Sequence, residues 1–151
     1  MSEHTATVTW RRETPTFTYD DYRRDHRWEF GSGSLVHASA APEYKGSPDL
    51  VNPEEALVAA LSSCHMLTFL AIAARKRYVV DSYTDEAVGV LEKNEAGRFA
   101  VTRVTLRPKI VFSGETVPDE AAIAVLHEKA HENCFIANSV TTTVTVEAPA
   151  G

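Results

Sequence analysis

Basic residues are scarce in this chain. Its 15 Lys and Arg stand against 21 Asp and Glu, leaving a formal net charge of −6. Nucleic-acid binding needs a basic surface to offset phosphate, so nucleic acid is excluded as the main partner. Cysteine is scarcer still: Cys64 and Cys134 are the two in 151 residues. That is too few for the disulfide framework of a small secreted domain. In a reducing compartment such a pair is either a set of buried thiols or a redox couple. No signal peptide is read at the start, where Met1 to Thr9 is polar and alternating. The expected compartment is therefore the cytoplasm. Charge is also missing locally, since Ala56 to Ala74 holds no Asp, Glu, Lys or Arg. The run approaches membrane-spanning length. However, it is rich in Ala and carries Ser62, Ser63, Cys64, His65 and Thr68 at its centre, so it reads as a buried helix of a soluble protein.

The length suits a single domain over residues 1–151. Thr5 to Trp10 alternates like a strand, and Arg23 to Phe30 does so more clearly. In the second segment Arg23, Asp25, Arg27 and Glu29 share one face, while Arg24 shares the other with His26, Trp28 and Phe30. Leu35 to Ser39 reads as a further strand, and the Pro- and Gly-bearing stretch Ala41 to Asp49 as a loop. The charge-free helix is marked at both ends. Asn52 is a natural N-cap, Pro53 suits the first helical position and Glu55 completes a capping box. Arg75, Lys76 and Arg77 sit at the negative end of its dipole.

Glu86–Glu92 and Phe99–Phe112 predict a hairpin about the turn Asn94–Gly97. Ala100, Val104, Leu106, Ile110 and Phe112 fall on one face of its second arm. A second helix is expected from Pro118 to about Glu132, with Ile123, Leu126 and Ala130 inward. Val140, Val144 and Val146 mark a final strand. Strands and helices do not alternate regularly, which predicts an α+β fold with antiparallel sheets packed around the long helix. That helix has no polar face over its central stretch and must be covered on nearly all sides. A partner subunit is the economical cover, so a homodimer is expected.

Cys64 lies mid-helix in Ser-Ser-Cys-His. A free Cys is commonly a small core residue, and burial in apolar surroundings keeps a thiol protonated. A neighbouring Arg reverses that, lowering a thiol pKa by roughly 1–3 units. Arg24 is the candidate by its facing, and an inward Arg calls for an acidic partner, for which Glu54 is available. Glu54 and Cys64 are separated by roughly 15 Å along a straight helix. Either Arg24 reaches from one toward the other, or the helix bends, or Glu54 serves the Cys64 of a second subunit. Cys134 can pair with Cys64 only if the two Cα atoms come within roughly 7 Å. His65 points about 100° away from Cys64 and reads as packing or pocket lining. His127-Glu128-Lys129-Ala130-His131 matches H-E-x-x-H, the zinc-hydrolase pattern. Only Glu132 and Glu147 follow as acids, and the same charges suit a solvated helix face, so no metal is expected there. Zinc hydrolysis and non-catalytic binding of an apolar ligand by a stress protein stand as alternatives.

Two segments carry a family likeness. Asn52 to Leu67, N-P-E-E-A-L-V-A-A-L-S-S-C-H-M-L, strongly resembles the first-cysteine helix of the OsmC/Ohr family, the osmotically inducible and organic hydroperoxide resistance proteins. His131 to Val140, H-E-N-C-F-I-A-N-S-V, is similar to its second-cysteine segment, with Phe135 where relatives often carry Pro. The order of elements matches over about residues 5 to 147. The resemblance implies an intertwined α+β homodimer; no cofactor is expected. It implies thiol peroxidase activity on organic hydroperoxides, with Cys64 peroxidatic, Cys134 resolving, and Arg24 paired with Glu54 beside the reactive thiol. It also implies a dithiol reductant, a lipoylated protein being one form of it; no membrane partner is expected from the composition of the charge-free helix.

Overall fold

The computed structural model describes residues 1–147. The chain forms two compact units that divide after Ala56.

In the first unit, β1 (Ala6–Thr9), β2 (His26–Phe30) and β3 (Leu35–Ala38) form an antiparallel sheet in that order. Its register sets Val8 opposite Trp28 and Trp28 opposite Val36. The loop after β3 is held by Asp25, whose Oδ1 accepts from Ser39 Oγ at 2.9 Å and from Ser47 Oγ at 2.6 Å. Those two hydrogen bonds keep the Asp25 carboxyl below its ordinary pKa, Ser47 contributing most.

The long helix α1 runs unbroken over Pro53–Arg75 and is capped as its sequence predicts. Glu55 N donates to Asn52 Oδ1 at 2.9 Å, and Asn52 Nδ2 donates back to the Glu55 carboxylate. Its buried positions are Leu61, His65, Phe69 and Ala73, one residue per turn. Of its most apolar 18 residues, 22% are buried inside this chain. Ala59, Ser63, Leu67 and Ala71 form an exposed row, with Leu67 61% accessible. The expected complete burial is therefore not met by this chain alone. By length and composition the helix also passes as a membrane span.

The rest of the second unit holds β4 (Val79–Asp85), β5 (Val88–Lys93), β6 (Phe99–Leu106), β7 (Pro108–Ser113), α2 (Glu120–Glu132) and β8 (Thr143–Val146). One sheet has the order β5-β6-β8 and the other pairs β4 with β7. Leu61 packs with Val104 and Leu106 over the first sheet; Phe69 and Ala73 pack with Leu126 and Ala130 of α2 against the second. Gly89 lets α1 approach β5, since a Cβ there would lie 2.4 Å from Val58 Cγ2. The turn Asn94–Gly97 forms as expected, with Asn94 Oδ1 accepting from Ala96 N and Arg98 N at 3.0 Å each and Gly97 at φ +76°.

Four expectations are corrected, the first being the strand expected over Arg23–Phe30, which starts at His26 and leaves Arg24 in the segment before it. Phe99–Phe112 is two strands, because Pro108 has no N–H to continue the ladder and Arg107 turns its own N–H to Asp85 Oδ1 at 2.6 Å. β4 lies in a segment whose Asp and Ser obscure its alternation. β8 runs parallel to β6, so the sheets are mostly rather than wholly antiparallel. The second helix starts at Glu120, with Asp119 Oδ1 accepting from Ala122 N at 2.8 Å.

Candidate functional site

Cys64 sits half-buried in the middle of α1, and Cys134 is 1% exposed in the turn that follows α2. Both are free thiols. Cys134 Sγ accepts from Ala137 N at 3.4 Å. Burial pushes the Cys134 thiol up in pKa; the Ala137 hydrogen bond opposes this, and Cys64 reinforces it as a hydrogen-bonding and charged neighbour. The structure thus brings together the two cysteines singled out in the sequence, one reachable from solvent and one enclosed behind it.

The residue beside Cys64 forms a second polar feature. His65, 1% exposed, places Nε2 3.0 Å from Nδ1 of His127 on α2, with the two rings 11° from parallel. His65 Nδ1 is buried without a partner. Burial drives the His65 pKa down to about 4, with His127 and His131 adding to the shift and Asp85 opposing it. His127 is lowered too, by burial, and packs against Phe69 at 4.6 Å between ring centres. On β4, Tyr83 is pushed up by burial and then by Asp85, and its hydroxyl has no partner. Asp85 accepts from Ser62 Oγ of α1.

This arrangement corrects the reading of H-E-x-x-H as a solvated face. His127 turns inward to His65, while Glu128 and His131 are exposed. Among the described residues no group of three or more His, Cys, Asp or Glu gathers in a metal-binding arrangement.

The first unit holds the remaining candidates. Arg24, 9% exposed, and Glu54 line one pocket of about 480 Å³ with Trp10, Phe17, Tyr22, His26 and Tyr44. Arg24 was expected to pair with Glu54. Instead it donates from Nη1 to Tyr22 O and from Nη2 to Tyr19 O at 2.6 Å. Its guanidinium lies 3.7 Å from the Tyr22 ring centre and 5.0 Å from that of Tyr19. Among the described residues no ion pair joins Arg24 to Glu54, and Glu54 Oε2 is buried with no hydrogen-bond partner. The tyrosine cradle was missed in the sequence; its signal is T-Y-D-D-Y-R-R, two Tyr within five residues of the Arg. His65–His127 was missed because the two residues lie on separate helices, and His127 was assigned outward.

The OsmC-like protein family matches this chain over residues 46–148. An OsmC-like protein of unknown function from Vibrio cholerae O1 biovar eltor is 55% identical, covering 98% of this chain and 99% of that one, with a TM-score of 0.94. Uncharacterized protein YmaD of Bacillus subtilis (strain 168) is 27% identical over 111 residues, 72% of this chain and 73% of its own. An organic hydroperoxide resistance protein OsmC from Legionella pneumophila is 17% identical over 99% of this chain and 98% of that one, with a TM-score of 0.75, a likeness of fold.

Proposed function

The chain belongs to the OsmC-like protein family, and from that footing we propose that it is a thiol peroxidase that reduces organic hydroperoxides. The observation that carries the reading is the meeting of a half-buried Cys64 with an enclosed Cys134. The Cys64 thiolate attacks one peroxide oxygen; an S–O bond forms, the O–O bond breaks, and the alkoxide takes up a proton and leaves as the alcohol. The sulfur is oxidised to a sulfenic acid. Cys134, as thiolate, then attacks that sulfur and releases hydroxide, which takes up the proton Cys134 lost and departs as water. A dithiol reductant, such as a lipoylated protein, restores both thiols. The family resemblance gives Arg24 the role of stabilising the thiolate and the alkoxide; in this chain the carbonyls of Tyr19 and Tyr22, rather than Glu54, orient it. The working form is a cytoplasmic homodimer in which the exposed row of α1 is covered by a second subunit.

Reduced protein treated with one equivalent of t-butyl hydroperoxide is expected to yield the Cys64–Cys134 disulfide, mapped by mass spectrometry, and Cys64→Ser to consume no peroxide. If both thiols remain free for alkylation, the peroxidase reading fails and apolar-ligand binding by the aromatic pocket takes its place. Light scattering on a size-exclusion column at micromolar concentration should return a dimer; a monomer removes that part of the proposal.

A further inference from the structure

The two cysteines reach one another from different elements, and what joins those elements is mostly apolar. Phe69 and Ala73 of α1 meet Leu126 and Ala130 of α2. Such a contact is non-directional and leaves a helix free to slide or turn by small amounts. Among the described residues one side-chain hydrogen bond crosses between α1 and α2, His65 Nε2 to His127 Nδ1 at 3.0 Å. It is rooted beside Cys64 on one side and two turns before Cys134 on the other.

We propose that the His65–His127 pair positions Cys64 against Cys134, and that it does so only while both imidazoles are neutral. This rests on the reading of the two cysteines as a redox pair. The tautomers follow from the surroundings. His65 Nδ1 has no partner, and a bare lone pair is cheaper to bury than an N–H, so His65 donates from Nε2 and His127 accepts at Nδ1. A proton added to His127 Nδ1 puts two donors face to face and removes the bond. A proton added to His65 Nδ1 buries a charge with no acceptor. The neighbours agree with this. From α2, the exposed His131 acts on the pair as a further base; from α1, Cys64 adjoins it and Ser62 bonds to Asp85; from β4, Asp85 is the acid acting on His65 among the described residues and Tyr83 stays protonated. Asp85 is already engaged by Ser62 and by Arg107 N, which leaves it a weak counter-charge for either ring.

The test uses diamide, a thiol oxidant that closes a disulfide without peroxide chemistry, on the reduced full chain. Wild type, His127→Asn and His127→Ala are compared at each pH from about 7 to about 3.5, so that cysteine ionisation cancels in the ratios. Asn keeps a hydrogen-bonding atom near the Nδ1 position and does not titrate. At pH 7 wild type and His127→Asn should close the disulfide about fivefold faster than His127→Ala. Toward the low end of that range, where His127 with its lowered pKa takes up a proton, the wild-type advantage should shrink relative to that of His127→Asn. Equal rates for His127→Ala and wild type at pH 7, or a wild-type to His127→Asn ratio flat across the range, overturns the proposal. If His127→Ala does not fold, the ratio of the other two decides alone. A parallel arm with t-butyl hydroperoxide separates the two claims, since pH-dependent closure by diamide without any reaction with peroxide would sink the peroxidase reading and leave this one standing.

Discussion

Arg24 and His65 are both basic side chains withdrawn from water, 9% and 1% exposed, and they have opposite fates. Arg24 carries a charge that arginine does not shed in proteins. Its surroundings accommodate it with the carbonyls of Tyr19 and Tyr22 and the faces of both rings. His65 has one hydrogen bond, to another imidazole, and an apolar stripe on either side, so it gives up its proton. Burial alone does not decide the charge of a base. The supply of acceptors does.

The strongest way to break this contrast is to force a fixed cation into the second site. His65→Arg should destabilise the protein by roughly 3–5 kcal/mol, because the incoming charge finds no partner there. Urea unfolding followed by circular dichroism measures it, and a loss below about 1 kcal/mol would mean the site holds acceptors beyond His127. Next in size is the pH response. The folded-state pKa of His65 is about 4 against 6.5 for the free side chain, so between those values the unfolded chain binds a proton that the folded chain does not. Stability should therefore fall as pH drops from 6.5 and level off near 4, a loss on the order of 3 kcal/mol from this group. His127 adds to it in the same direction. The slope should shrink in His65→Gln; an unchanged slope would assign the effect elsewhere.

Arg24→Lys tests the other side of the contrast. It keeps the charge but loses the planar fork that reaches two carbonyls, and should cost about 1–2 kcal/mol by the same unfolding measurement. The smallest effect sharpens the role of the rings. Tyr22→Leu keeps the backbone acceptor and removes the nearer π face, and should cost about 0.5–1 kcal/mol. A loss as large as that of Arg24→Lys would mean the ring outweighs the carbonyls.

Local chemistry made α1 legible from sequence. Asn52, Pro53 and Glu55 lie within four residues, and the cap they predict is the one formed. The hairpin turn was legible for the same reason, through Asn94 and Gly97. β4 was not, because Asp81, Ser82 and Asp85 interrupt its apolar pattern, Asp81 and Asp85 serving as side-chain acceptors for other elements. Cys64 and Cys134 could be named, though the spacing alone did not require them to meet. Arg24 was singled out by an alternation that becomes a strand only from His26, and its partners were not found, since an acid was the natural guess and two tyrosine carbonyls are invisible to pattern. His65 and His127 eluded the reading because each taken alone has a bland explanation, and only the packing of α1 on α2 makes them a pair.

The segment from Phe99 to Ser113 serves two sheets, with Arg107 as the joint. Its alternation carries through that joint without a change of phase: Val104, Leu106 and Pro108 are buried, Ile110 and Phe112 are packed, and Arg103, Arg107 and Lys109 face out. Losing or gaining a single residue here would turn one sheet's core-facing set toward solvent while the other kept its own. Lineages carrying this fold are therefore expected to vary this stretch by substitution and to confine changes of length to the turns on either side of it.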